Sequence, residues 1–146
     1  MKALVDSDVI VAVLDGQEDQ SADSRKVLSA GSKGAFEMII TPLIAANVMY
    51  ALRRKWRTTR VFWQDELDRA MTSILSTTTM IPVDERDFLA SFASKFKDRE
   101  DGIQYYAALR SRNVDMILTC NVKDFNEREI PVMEPAQFIA EYLGEP

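Results

Sequence analysis

Carboxylates in this chain fall where an open parallel sheet would gather them. Asp6 follows the apolar run Ala3-Leu4-Val5, and Asp98, Asp101 and Asp124 lie within the stretch DREDGIQYYAALRSRNVDMILTCNVKDF, which also carries Asn121. Carboxylates are hard oxygen donors. One to three of them, completed by water and phosphate oxygens, hold Mg²⁺ or Mn²⁺ without any histidine or cysteine. An ion held in this way activates water, neutralises a phosphoryl group and orients the leaving oxygen. The chain has no histidine and a single cysteine, Cys120, which excludes a Cys-His nucleophile and a zinc site of the usual kind.

Each acid also has a plainer use. Asp6 and Asp8 are good helix caps, Asp98 can cap the next helix with Glu100 and Asp101 in its dipole-favoured first turn, and Asn121 and Asp124 suit a turn. Asp98, Glu100 and Asp101 together exceed what capping requires, however, and a divalent cation would offset their repulsion.

The elements that must position these groups alternate along the chain. A strand over residues 2–6 precedes a short helix from Val9 to Leu14, a polar turn through Asp15-Gly16-Gln17, and a helix from about Ser21 to Ala30 ended by Gly31 and Gly34. Phe36 to Ile40 reads as a second strand. Thr41 as cap and Pro42 in the first turn then open a helix that runs to about Trp56. A further helix spans about Val61 to Leu75, a β-branched strand Thr77 to Ile81, and another helix Asp84 to Phe96. An amphipathic helix carrying Ile103, Tyr106, Ala107 and Arg110 leads to a buried strand, Met116 to Leu118. The apolar pair Val132-Met133 and a helix from Pro135 to Leu143 close the chain. Strands separated by helices predict one α/β domain over residues 1–146, a three-layer α/β/α sandwich with a central, mainly parallel sheet. In such sheets functional groups collect beyond the carboxyl ends of the strands, so Asp6, Asp101 and Asp124 are expected to converge on one crevice.

At 146 residues the chain can bury roughly two thirds of its unfolded surface as one domain. The lone cysteine suits a reducing compartment, no run approaches 18 apolar residues, and Met1-Lys2 leads directly into a strand, so a cytoplasmic protein with no membrane partner is expected. The net charge is −5, yet RRKWRTTR at 53–60 carries five cations and no acid, leaving −10 on the remainder. Because screening acts over about 8 Å at physiological salt, the nearby field matters most. Arg53, Arg54, Lys55 and Arg57 can therefore hold a nucleic-acid backbone, or serve only as cations at a helix end. Trp56 and Trp63 offer stacking surfaces, although burial on helix faces is the commoner use of such rings.

The blocks LVDSDVIVAVLDG, TPLIAANVMYALRRK and DREDGIQYYAALRSRNVDMILTCNVKDF followed by IPVMEPAQFI resemble the PIN-domain family of metal-dependent ribonucleases, which includes the VapC-type toxins. The resemblance covers nearly the whole chain, and its last block is the most specific. It implies an endoribonuclease that uses Mg²⁺ or Mn²⁺ to cleave RNA, leaving a 5′-phosphate and a 3′-hydroxyl, with an antitoxin protein and a second copy of the chain as further partners. Asp6 stands at the first metal-binding acid and Asp101 at the third. The fourth falls in the turn from Asn121 to Asp124, with Asp124 favoured as the carboxylate and Asn121 in support. Asp8 and Asp98 also support the site.

The chain departs from the pattern at the second acid, usually a glutamate of the third helix and here Asn47, an amide that brings no charge. A catalytically weakened domain that binds RNA or protein is therefore the alternative. A haloacid-dehalogenase-like phosphatase is suggested by Asp6-Ser7-Asp8 and by the strand ending at Thr119. It lacks the Gly-Asp-x-x-x-Asp stretch and a third-motif lysine.

Overall fold

A computed structural model of the chain describes residues 1–16 and 18–144, the side chains of residues 18–20 excepted; Gln17, expected in the first turn, lies outside the described residues. Their order is β1 (Lys2–Val5), α1 (Ser7–Leu14), α2 (Glu18–Ser32), β2 (Glu37–Ile40), α3 (Pro42–Thr59), α4 (Trp63–Thr77), β3 (Thr78–Met80), α5 (Glu85–Phe92), α6 (Arg99–Ser111), β4 (Met116–Leu118), β5 (Val132–Met133) and α7 (Pro135–Tyr142). A single 3₁₀ turn, Val122–Asp124, follows β4.

The five strands run parallel in the order β3-β2-β1-β4-β5, and helices cover the sheet to give the expected three layers. Ala3, Leu4, Ile39 and Ile117 are fully buried, as strands covered on both faces require. The chain leaves β1 toward β2 on one side and later places β4 on the other, so strand order reverses at β1/β4. This is where an open α/β sheet forms its crevice. The amide of Asp6 extends the ladder by donating to the Leu118 carbonyl at 2.9 Å.

Local chemistry sets the ends of the helices that approach this crevice. Asp6 caps α1, Thr41 caps α3 with Pro42 in the first turn, and Asp98 caps α6. Two expectations require correction. The helix opened by Asp84 stops at Phe92 and not at Phe96, because the Arg99 guanidinium collects the carbonyls of Ser91, Phe92 and Ser94 that a longer helix would have used. Gly31 does not end α2 but lies within it, where a Cβ would meet the Met38 side chain at 2.5 Å. Gly34, at φ +83°, supplies the left-handed residue after the helix. Among the described residues no helix is long and apolar enough to cross a membrane.

Two contacts fix α6 relative to the crevice. Phe96 packs its ring against Tyr105 at 5.4 Å and edge-on against Phe125 at 5.9 Å, which ties the start of α6 to the turn after β4. At the other end Arg110 donates from Nε and Nη2 to both oxygens of Asp87, at 2.9 and 2.8 Å. Asp87 is only 1% exposed, so removing its partner strands a buried charge. Arg110→Met is expected to lower the urea midpoint at neutral pH. Adding Asp87→Asn should recover part of the loss, because the neutral amide can still accept from the Asp84 N–H.

Candidate functional site

The reversal between β1 and β4 places Asp6 and Thr119 side by side at the carboxyl edge of the sheet. Asp6 is buried; its Oδ1 accepts from the Ser7 N–H at 2.7 Å and its Oδ2 from the Thr119 hydroxyl at 3.0 Å. That hydroxyl also stands 3.1 Å from Asp8 Oδ2. The hydroxyl has one proton for the two carboxylates, and among the described residues no Lys or Arg forms an ion pair with either. Asp8 Oδ2 accepts further hydrogen bonds from the Cys120 N–H at 3.0 Å and the Asn121 side-chain amide at 3.1 Å. Among the described residues, Asp8 Oδ1 is buried and accepts no hydrogen bond that meets ordinary geometry.

Asp98 behaves as the cap its position suggested: its Oδ1 accepts from the amides of Glu100 and Asp101, at 3.0 and 3.2 Å. Asp124 ends the 3₁₀ turn, and its neighbour Phe125 is buried against Phe96. The charges meet at Asp101. Burial, and then the charges of Asp6, Asp98, Asp124 and Asp8, push its carboxyl up to about 8. Burial and the neighbouring Asp8 raise Asp6 to about 7, and burial raises Asp8 as well. The expected acids thus share one electrostatic neighbourhood.

Among the described residues, no three Asp, Glu or Cys side chains already stand where they could hold a metal ion. The donor set nevertheless fits a hard divalent ion: the groups are carboxylate oxygens, Asp8 Oδ1 accepts no hydrogen bond of ordinary geometry, and a cation would offset the repulsion centred on Asp101. Cys120 is no competing nucleophile, since burial and the charge of Asp8 push its thiol up to about 11.

The two amides are both engaged by acids. Asn121 holds Asp8, and Asn47 donates from Nδ2 to Glu100 Oε2 at 3.1 Å. A groove of about 390 Å³ opens beside the acids, reached by Asp8, Asn121 and Ser24 and walled by Val11 and Pro135. Farther along α3, Tyr50, Arg53, Arg54 and Arg57 line a second groove of about 480 Å³; their spacing puts them on one helical face.

Lys55 departs from this stripe and ion-pairs with Asp15 at 2.7 Å. Trp56 is buried beneath the Arg60 guanidinium, 3.9 Å from its ring centroid, and Trp63 is half-buried. The exposed ring on this face is Tyr50, 67% accessible, which sequence reasoning missed along with Thr119. Thr119 had a legible signal, for it follows β4 just as Asp6 follows β1.

A family model for the PIN domain matches residues 2–123. Solved structures of similar fold include VapBC2 from Rickettsia felis bound to a DNA fragment from its promoter, with TM-score 0.66 at 12% identity over 92% of this chain and 98% of that one. PAE2754 from Pyrobaculum aerophilum aligns with TM-score 0.66 at 14% identity, covering 99% and 91% of the two chains. A toxin–antitoxin complex from Klebsiella pneumoniae aligns with TM-score 0.64 at 20% identity, covering 91% and 97%. No curated protein matches the chain.

The raised carboxyls make a signed prediction for metal-free protein. Asp6 and Asp101 hold protons in the folded state at pH values where the unfolded chain, near 3.8, has lost them. Their contribution therefore favours folding at low pH and is lost as pH rises from about 4 to about 8. In chelator, thermal melts should show stability falling across this window, with a shallower fall in Asp101→Asn. An identical slope in both proteins would remove Asp101 from the titrating cluster.

Proposed function

The chain belongs to the PIN-domain family, and from that membership we propose that it is a VapC-type endoribonuclease that hydrolyses RNA phosphodiester bonds with a carboxylate-bound divalent ion. The observation that carries this reading is that Asp6 and Asp8 meet at the Thr119 hydroxyl where strand order reverses at the carboxyl edge of the sheet, with neighbouring acids and burial raising the Asp101 carboxyl. Asp6, Asp101 and Asp124 would hold the ion, Mg²⁺ or Mn²⁺. When bound it supplies activation of water and neutralisation of charge on the phosphoryl group. In the overall reaction the oxygen of water bonds to phosphorus and the bond to O3′ breaks, leaving a 5′-phosphate and a 3′-hydroxyl.

The chain's own groups orient and bind. The Ser7 N–H and the Thr119 hydroxyl fix the two oxygens of Asp6, while the Cys120 N–H and Asn121 fix one oxygen of Asp8. Arg53, Arg54 and Arg57 neutralise backbone phosphates, and Tyr50 offers an exposed ring on which a base can stack. Lys55 joins them only when it leaves Asp15. Similarity to toxin–antitoxin complexes supports an antitoxin protein as a partner, and the lone Cys120 suits the cytoplasm.

A second reading, a weakened domain that binds RNA or protein without cutting, is favoured by one observation: the residue α3 sends to the acids is the uncharged Asn47. Incubating the purified chain with a varied pool of single-stranded RNA separates the two. Cleavage is expected with Mn²⁺ or Mg²⁺, none in chelator, and none in Asp6→Asn. Added Mn²⁺ should raise the melting temperature of wild type and have a smaller effect on Asp101→Asn. Retention of an uncut pool across both metals would transfer the assignment to the binding module.

A further inference from the structure

Helix α5 shows its apolar side to solvent and its polar side to the protein. The side that meets α6 holds Asp87 and Ser91, both buried. Asp87 is taken by Arg110, and the Ser91 hydroxyl donates to the Arg99 carbonyl at 2.7 Å. The opposite side carries Phe88, Leu89 and Phe92, all exposed, Leu89 by 64%. Positions 85, 88, 89 and 92 share one helical face, and the Phe88 and Phe92 rings meet edge-on there at 6.2 Å. A surface helix ordinarily buries its apolar stripe and turns its polar one to water. Contiguous exposed rings on the outer face of α5 therefore mark a surface that another molecule covers.

The charges at the two ends of this stripe select the occupant. Glu85 opens the helix on the same face as the rings. At the other end the Ala93 and Ser94 amides donate to the Leu89 and Ser91 carbonyls, which keeps the chain turning and places Lys95 just beyond the last turn. Glu85 and Lys95 are exposed, and among the described residues neither forms an ion pair. The two lie equally far from Ala90 along the chain, as do Phe88 and Phe92. A second α5 laid antiparallel across the first, with a two-fold axis at Ala90, thus sets Phe88 against Phe92 of the other copy and Glu85 against its Lys95. The face is complementary to itself, which is the requirement of an isologous interface. An unrelated partner would need no such match.

We propose that the outer face of α5 is a self-association surface, on which a second copy of this chain docks antiparallel through Phe88, Leu89 and Phe92, with reciprocal Glu85–Lys95 pairs at both ends. None of these residues belongs to the acid site, so the inference stands whether or not the chain cuts RNA.

Sedimentation equilibrium of the full chain tests this, with thermal melts to verify folding. Wild type is expected to dimerise. Leu89→Asp enters a two-fold interface twice and should weaken association by about 100-fold or more. Glu85→Lys and Lys95→Glu each set like charges against one another at both ends, and each should weaken it by about 10-fold. Mixed in equal amounts, these two variants should form a heterodimer as strong as wild type, since every pair at the interface is again of opposite sign. A mixture as weak as its separate components overturns the antiparallel pairing. A dimer that Leu89→Asp leaves intact puts the interface on another face and overturns the inference, as does a wild type that stays monomeric at every soluble concentration.

Discussion

Like charge crowded at the carboxyl edge of a buried parallel sheet is the constraint to which the rest of this fold answers. Asp6 sits at the end of β1 with almost no exposure, and Asp101 feels four other acids. Such an arrangement opposes folding unless protons or a cation offset it. The hydrogen bonds on the carboxylates do not remove the charge. They fix which oxygens are occupied and which are left free, and Asp8 divides in this way between an Oδ2 with several donors and an Oδ1 with none of ordinary geometry.

Holding repelling groups together requires rigid supports away from the charges, and the structure supplies them on the side of α5 and α6. Gly102, directly after Asp101, lets α6 approach α5 so closely that a Cβ there would overlap Ser91 Oγ and stand 3.1 Å from the Phe96 Cβ. Phe96 in turn packs against Phe125, the residue after Asp124. Asp101 in the first turn of α6 and Asp124 in the 3₁₀ turn thus share one aromatic anchor. At the far end of α6, Arg110 and Asp87 pin the helix to α5 through a buried bidentate pair. Apolar and paired contacts at some distance therefore oppose the repulsion at the edge.

Much of this was legible in the sequence, since it follows from local rules. Thr41-Pro42 and Asp98 announce helix starts through their capping chemistry, apolar runs mark β1 and β4, and the carboxyl-edge rule points from those strands to Asp6 and Asp124. The features that were not legible are contacts between residues distant in sequence. Nothing local tells that Lys55 turns to Asp15, that Asn47 meets Glu100, or that one Thr119 hydroxyl stands between two acids. The early end of α5 belongs to the same class, since the Arg99 side chain that takes up its terminal carbonyls comes from the next helix. Gly31 looked like a terminator because only the tertiary fold brings Met38 against it.

The division of charge along α3 links the acid site to a polyanionic substrate. On the proposed function, a bare acid cluster would repel an RNA strand, and a chain of net charge −5 would have to attract it elsewhere. Helix α3 suits this through its polarity: its start meets the acid site through Thr41 and Asn47, and its later turns carry Arg53, Arg54 and Arg57. At 1.5 Å per residue, Arg53 to Arg57 lie about 9 to 15 Å along the axis from Asn47. That distance is comparable to the screening length at physiological salt. The arginines are near enough to offset the field that a strand meets at the acids, and too far to pair with the acids themselves. On the proposed function, a bound cation and the arginine stripe would therefore act on different phosphates of one strand. Neither substitutes for the other.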